Sequence, residues 1–267
     1  MTPEQTFNAL QRVARQEGRA VQELLTLYVL ERFLARLVES PYADSFVLKG
    51  GVLLAGYGLR RPTRDVDMHA IDFVLDEEHC REVVVTVATA EADDGVVFDS
   101  IPTRIEPIRD EEEHSGLRVH VRAQLHRAQI AVKLDISTGD PISPSAQLVT
   151  MPQILGGEFT LMGHPPETII AEKAVTILQR GVTSTRWRDY MDLRSLSRSR
   201  SFSAGTLRGR SRRWRNIAGS NSPLHRSRSE AMMNWRSRSG QRGARKLTSK
   251  RSPWPSSPTS SPKSRHS

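Results

Sequence analysis

The chain is short of cysteine, of long apolar runs and, over its last quarter, of acidic residues. Cys80 is the single cysteine among 267 residues. That excludes an intramolecular disulfide and a cysteine-based zinc site, and fits a reducing compartment. No apolar run approaches the ~18 residues of a membrane-spanning helix. The opening MTPEQTFNAL lacks a basic stretch followed by an apolar one, so no secretory signal is expected. A soluble, cytoplasmic protein without membrane association is the expectation. From Arg194 onward there are 16 Arg, 3 Lys and one acid, Glu230, a balance of +18 against −9 for residues 1–193. The overall charge of +9 therefore says nothing about the folded body. Only 15 of those last 74 residues are apolar and 20 are Ser, too few to offset chain entropy by burial, so the segment is expected to be disordered.

What is present before Arg194 has a readable order. Thr2-Pro3-Glu4 supplies an N-cap, a first-turn proline and an early acid, opening a helix to about Glu17-Gly18. From Ala20 to Glu39, Val21, Leu24, Leu25, Tyr28, Val29, Phe33, Leu34 and Leu37 recur at steps of three and four, which predicts a second helix with one buried stripe. Phe46-Val47-Leu48-Lys49 reads as a strand, Gly50-Gly51 as a turn, and Val52 to Tyr57 as helical. Asp65 to Ala70 reads as a strand and residues 75–91 as a helix. Further strands are predicted at Gly95–Phe98, Arg104–Ile108, Leu117–Leu125 and Ala128–Ser137, and helices over Glu167–Arg180 and Arg186–Leu193.

Asp65 and Asp67 lie two apart on a predicted strand, so both carboxylates point to one face about 7 Å apart, a spacing that suits a divalent cation. The ordinary alternative is a pair of solvated acids at a strand end. Asp135 shares one face of another apolar strand with Lys133; if the strands are neighbours, three carboxylates converge. Hard oxygen ligands at that density favour magnesium or manganese, which can activate an attacking oxygen and stabilise a leaving pyrophosphate. Gly50-Gly51 allows close backbone approach, and the following helix start offers unpaired N–H groups to phosphate. Lys49 reads as an exposed strand-end lysine, and His69 and His120 as strand-surface histidines.

Leu48-Lys49-Gly50-Gly51 followed by Arg61-Pro62-Thr63-Arg64-Asp65-Val66-Asp67 closely resembles the opening motif of the AbiEii/MenT nucleotidyltransferase toxins of type IV toxin–antitoxin systems, within the DNA polymerase β-like superfamily. Glu167 to Lys173 resembles the family's A-E-K helix, and Thr185 to Leu193 its R-x-K/R-D-x-x-D-L segment. The resemblance spans roughly Val21 to Leu193. It implies an α/β (α+β) fold, a nucleotidyltransferase domain with a mixed sheet flanked by helices, over residues 1–158, followed by a partial helical domain over 159–193. It implies an NTP substrate, magnesium or manganese, tRNA as a candidate acceptor and an antitoxin partner. Carried over by position, Asp65 and Asp67 are the metal-binding pair and Asp135 the third acid. Lys173 contacts the nucleotide's phosphates, Asp189 positions Lys173 or the nucleotide, and Gly50 and Gly51 line the triphosphate. Gly51 stands where many superfamily members have serine.

The motif resemblance stops at Arg194, in mid-helix. Three readings of residues 194–267 stay open: an Arg-Ser segment that binds RNA through phosphate, a partner-binding arm, or out-of-frame translation of a GC-rich gene. The isolated Trp214, Trp235 and Trp254 and the lost helical periodicity favour the last. The rival expectations for function are then a catalytically inactive remnant, or a non-enzymatic RNA-binding protein acting through the basic segment.

Overall fold

Thr2 starts the first helix as its side chain predicts, and does so reciprocally. Its hydroxyl accepts from the Gln5 N–H at 3.2 Å while the Gln5 side chain accepts from the Thr2 N–H at 3.0 Å, a capping box. In this computed structural model, which describes residues 1–108, 116–138, 145–181 and 187–199, α1 runs Pro3–Glu17 and ends at Gly18, whose φ of 64° is left-handed. α2 (Val21–Leu37) follows, with Leu24, Val29, Leu30, Phe33 and Leu34 almost wholly buried. Next come β1 (Phe46–Lys49), α3 (Gly50–Leu53), a 3-10 turn over Leu54–Tyr57 and β2 (Asp65–Ala70). α4 (Glu77–Thr89) is capped by Asp76, whose carboxylate accepts from the His79 N–H at 2.9 Å. Then follow β3 (Val96–Phe98), β4 (Arg104–Pro107), β5 (Gly116–Leu125), β6 (Ala128–Ser137), β7 (Gln147–Pro152), β8 (Glu158–Gly163), α5 (Pro166–Arg180) and α6 (Trp187–Ser199).

The eight strands form one mixed sheet in the order β3-β5-β6-β2-β1-β8-β7, with β4 also on β5. β2 runs parallel to β6 and antiparallel to β1. Side chains alternate across a strand, and register sorts them into two unlike faces. Phe46, Leu48, Val66, Met68, Val119, Val121, Leu134 and Ile136 point to the apolar face and are buried. α1, α2 and α4 all contact this part of the sheet or one another, and Phe33 of α2 meets Phe98 edge-on at 5.8 Å. Arg36 anchors the end of α2: it donates to Asp94 at 2.8 Å and to the Val96 carbonyl at 2.7 Å, and lies over the Phe98 ring. The opposite face carries Lys49, Asp65, Asp67, Lys133, Asp135, Arg118 and His120. Burial on one face thus fixes where every charge on the other must stand.

Three expectations need correction. The residue pattern predicts no strands over 147–163, where β7 and β8 form a hairpin turning at Gly156-Gly157, with φ of 94° and 84°. Exposure alternates along β7, with Val149 and Met151 buried, but the residue types hide it, because apolar Leu148 is 72% exposed. β8 pairs with β1 through Leu48 and Gly163, so the expected 158/159 boundary falls inside a strand of this sheet. The last helix does not stop at Leu193 either. α6 continues to Ser199, six residues into the Arg/Ser-rich segment, because Leu196 finds a fully buried place. Arg186 and residues 200–267, to which the disorder expectation applies, lie outside the described residues.

Phe33→Ala should destabilise the protein by about 3–5 kcal/mol, the range for an aromatic ring removed from a packed core; urea unfolding followed by fluorescence measures it. A loss below about 1 kcal/mol would place the core elsewhere.

Candidate functional site

Strand register assembles the first part of the site. Lys49 on β1 stands opposite Asp67 on β2, Asp67 opposite Asp135 on β6, and Asp135 opposite Arg118 on β5. The result is a row of four charged side chains on one face, cation, acid, acid, cation, across four neighbouring strands. Asp65 lies one step along β2 on the same face, beside Lys133, and the Thr63 hydroxyl donates to its carboxylate.

Asp67 bears the electrostatic strain of this row. Burial, then the neighbouring charges of Asp65 and Asp135, push its carboxyl up to about 6, with Lys49 only partly offsetting them. Lys49 is half-buried rather than exposed, and its ammonium donates to the Ser137 hydroxyl at 2.9 Å. The exposed-lysine reading is therefore wrong: Asp67 beside it rewards a cation at that position. His69 is likewise buried, its ring 6.5 Å from that of buried His164. It follows Asp67 by two residues and so shares the polar face, beside His164, which itself lies 3.8 Å from Glu172 of α5. His120 keeps its half-exposed place, with a Glu106 oxygen 2.9 Å away.

The glycines expected to line a phosphate chain stand at the end of β1. Gly50 has φ of 67°, and a Cβ there would come within 1.8 Å of an Asp67 carboxylate oxygen. Only glycine permits both the backbone conformation and this approach. A Cβ on Gly51 would lie 2.9 Å from both terminal nitrogens of Arg61, which covers that position.

The second part of the site joins α5, α6 and the loop before β2. Lys173 donates to Asp189 at 2.5 Å and pairs with Asp192 at 2.9 Å. Burial works against the Lys173 charge, but the Asp189 hydrogen bond and the field of Asp192 outweigh it and raise its pKa. Arg61 grips Asp192 with a fork, Nε at 2.7 Å and Nη2 at 2.9 Å. Asp192 is 2% exposed. Sequence reasoning placed Lys173 and Asp189 but assigned no role to Arg61, Asp192 or Arg118. The first two stood inside the quoted motifs, while Arg118 gave no signal beyond its place on an alternating strand. Glu172, next to Lys173, reaches toward the first part: its charge also raises Asp67.

Asp65 and Asp67 fit a hard divalent cation by their chemistry: two carboxylates on one face, one of them buried beside excess like charge. Asp135 is engaged otherwise. Both of its oxygens are held by Arg118, at 2.8 and 2.6 Å, and among the described residues no three acidic, histidine or cysteine side chains are grouped to hold a metal ion.

The sequence profile described as nucleotidyl transferase AbiEii toxin, type IV TA system, matches residues 32–238. The chain belongs to this family. The matched span begins within α2 and runs past Leu193, where the resemblance read from the motifs ends. Among solved structures, JHP933 from Helicobacter pylori is 21% identical over 67% of each chain, with a TM-score of 0.44. An antigenic nucleotidyltransferase-like protein from Paracoccidioides brasiliensis is 16% identical over 76% of this chain and 92% of that one, with a TM-score of 0.43. No curated protein matches significantly. Among the described residues no helix is long and apolar enough to cross a membrane.

A raised carboxyl pKa has a defined consequence for stability. An unfolded aspartate titrates near 3.9, so ionising Asp67 opposes folding, and its contribution falls as pH rises from about 4 to about 6. Asp67→Asn should therefore raise the melting temperature of the metal-free protein at pH 7, by on the order of 5 °C, with the gain gone at pH 4. A lower melting temperature for the variant at pH 7 would contradict this electrostatic account.

Proposed function

We propose that this chain transfers a nucleoside monophosphate from an NTP to an acceptor, tRNA being the acceptor class favoured by its family, with release of pyrophosphate and with a cognate antitoxin as its partner. The observation that carries the reading is the Asp65–Asp67 pair on the polar face of β2, with Asp67 pressed against Gly50, in a chain of the AbiEii family. The reaction makes one P–O bond to the acceptor oxygen and breaks the bond between the α-phosphorus and the leaving pyrophosphate. Magnesium or manganese, held by Asp65 and Asp67, would supply charge neutralisation at the phosphates and activation of the attacking oxygen.

The chain's own residues divide the remaining work. Lys49 tempers the charge on Asp67, and Thr63 fixes the orientation of Asp65. Gly50 and Gly51 keep side chains out of the path beside that pair. Lys173, held by Asp189 and Asp192, supplies a fixed cation toward the phosphates, so that its orientation is set before substrate arrives. Asp135, oriented by the Arg118 fork, keeps lone pairs that the fork does not use and would serve as the further acid.

Incubating the full chain with each α-labelled NTP, magnesium and total tRNA tests the reading. Label should enter RNA with the wild-type chain, and the Asp65→Ala/Asp67→Ala double variant should lose at least 100-fold, by analogy with the loss of a charge-stabilising group in other active sites. Undiminished labelling by that variant would remove the site assignment.

A further inference from the structure

Arg61 occupies a position that the transferase reading leaves without a role. It lies in the loop before β2, its side chain is 22% exposed, and its guanidinium rests on Gly51, where a Cβ would meet Nη1, Nη2 and Cζ at 2.9–3.0 Å. Behind it, buried Asp192 accepts from Nε and Nη2, while Nη1 donates to the Pro62 carbonyl at 3.1 Å. A guanidinium has five N–H donors, so these three bonds fix its plane without exhausting it. The same Asp192 oxygen that accepts from Arg61 Nη2 also lies 2.9 Å from Lys173 Nζ.

Asp192 thus links two cations, Lys173, which Asp189 also holds, and Arg61, which is immobilised beside a residue that carries no side chain. The cluster is two cations on two carboxylates; what marks it for a ligand is the guanidinium's place, part-exposed, with N–H donors to spare, against a glycine whose neighbour touches Asp67. A polyanion fits that place. Asp67 touches the Gly50 end of the glycine pair and Arg61 the Gly51 end. A ligand whose first phosphate is held on the Asp67 side would run its next phosphates toward Arg61 and Lys173.

We propose that Arg61, oriented by Asp192, binds the outer phosphates of the nucleoside triphosphate at Gly51. The inference rests on the transferase reading. It makes Arg61 the residue that distinguishes a triphosphate from a monophosphate, and Asp192 a positioning residue that acts through it. Planar, bidentate donation makes arginine better suited to this than lysine.

The test compares binding of the four NTPs and the matching NMPs to the full-length chain in magnesium, by calorimetry, with a thermal melt for every variant. Arg61→Gln should weaken the preferred NTP at least tenfold and leave the matching NMP within twofold, and Arg61→Lys should fall between Arg61→Gln and wild type. Gly51→Ala, whose methyl group displaces only the flexible end of Arg61, should show the same selective loss with little change in melting temperature. If Arg61→Gln keeps the wild-type NTP-to-NMP ratio, or if NTP and NMP affinity fall in parallel with the melting temperature, Arg61 is a structural clamp and the inference is overturned. If the wild-type chain binds no NTP at all, and Asp67→Asn makes no difference, the transferase reading fails and this inference with it.

Discussion

Placing Asp67 between Lys49 and Asp135 in a strand register is the constraint on which the rest of the site depends. Hydrogen bonding of β1, β2 and β6 fixes the row, and the apolar face of the same strands fixes the register, since a slip of one residue would turn Val66 and Met68 outward. The carboxylates therefore cannot move apart to relieve their repulsion. The protein holds excess negative charge at one point, tempered by Lys49 on one side and by Arg118 on the other. A divalent cation would relieve that strain; the Arg118 fork on Asp135 relieves part of it.

The second cluster pairs two cations with two carboxylates on a different kind of scaffold. Lys173 and Arg61 are held by Asp189 and Asp192 on a helix, α6, whose burial depends on Leu196. Gly50-Gly51 is the join: one glycine touches the acidic row, the next touches Arg61. Acid and base are thereby separated by two residues of bare backbone. Such a surface suits a ligand that carries metal at one end and uncompensated phosphate charge at the other.

Most of this arrangement was legible in the residues. Period-two spacing put Asp65 and Asp67 on one face, capping chemistry set the start of α1, and the stripe from Val21 to Leu37 gave α2. Sequence order could not supply neighbours. Nothing in Phe46-Val47-Leu48-Lys49 says that Lys49 will face Asp67, because that follows from β1 pairing antiparallel with β2. Arg118 was unreadable for the same reason: its partner lies 17 positions away on an adjacent strand. The β7–β8 hairpin is hidden because an exposed apolar residue, Leu148, breaks the residue-type pattern of β7, though Gly156-Gly157 marks its turn. α6 ran on past Leu193 because a single leucine, Leu196, outweighs the polar composition around it, and composition averaged over 74 residues hides one buried side chain.

The central claim is that the Asp65–Asp67 pair is a cation site joined through the glycines to a phosphate-binding pair. A crystal structure of the full chain grown with manganese and a non-hydrolysable NTP analogue tests it most directly. The account predicts an anomalous peak bonded to both carboxylates, with the phosphate chain passing Gly50 and Gly51 toward Arg61 and Lys173. Manganese bound elsewhere, or a nucleotide seated away from the glycine pair while Asp65 and Asp67 remain unliganded, would contradict it.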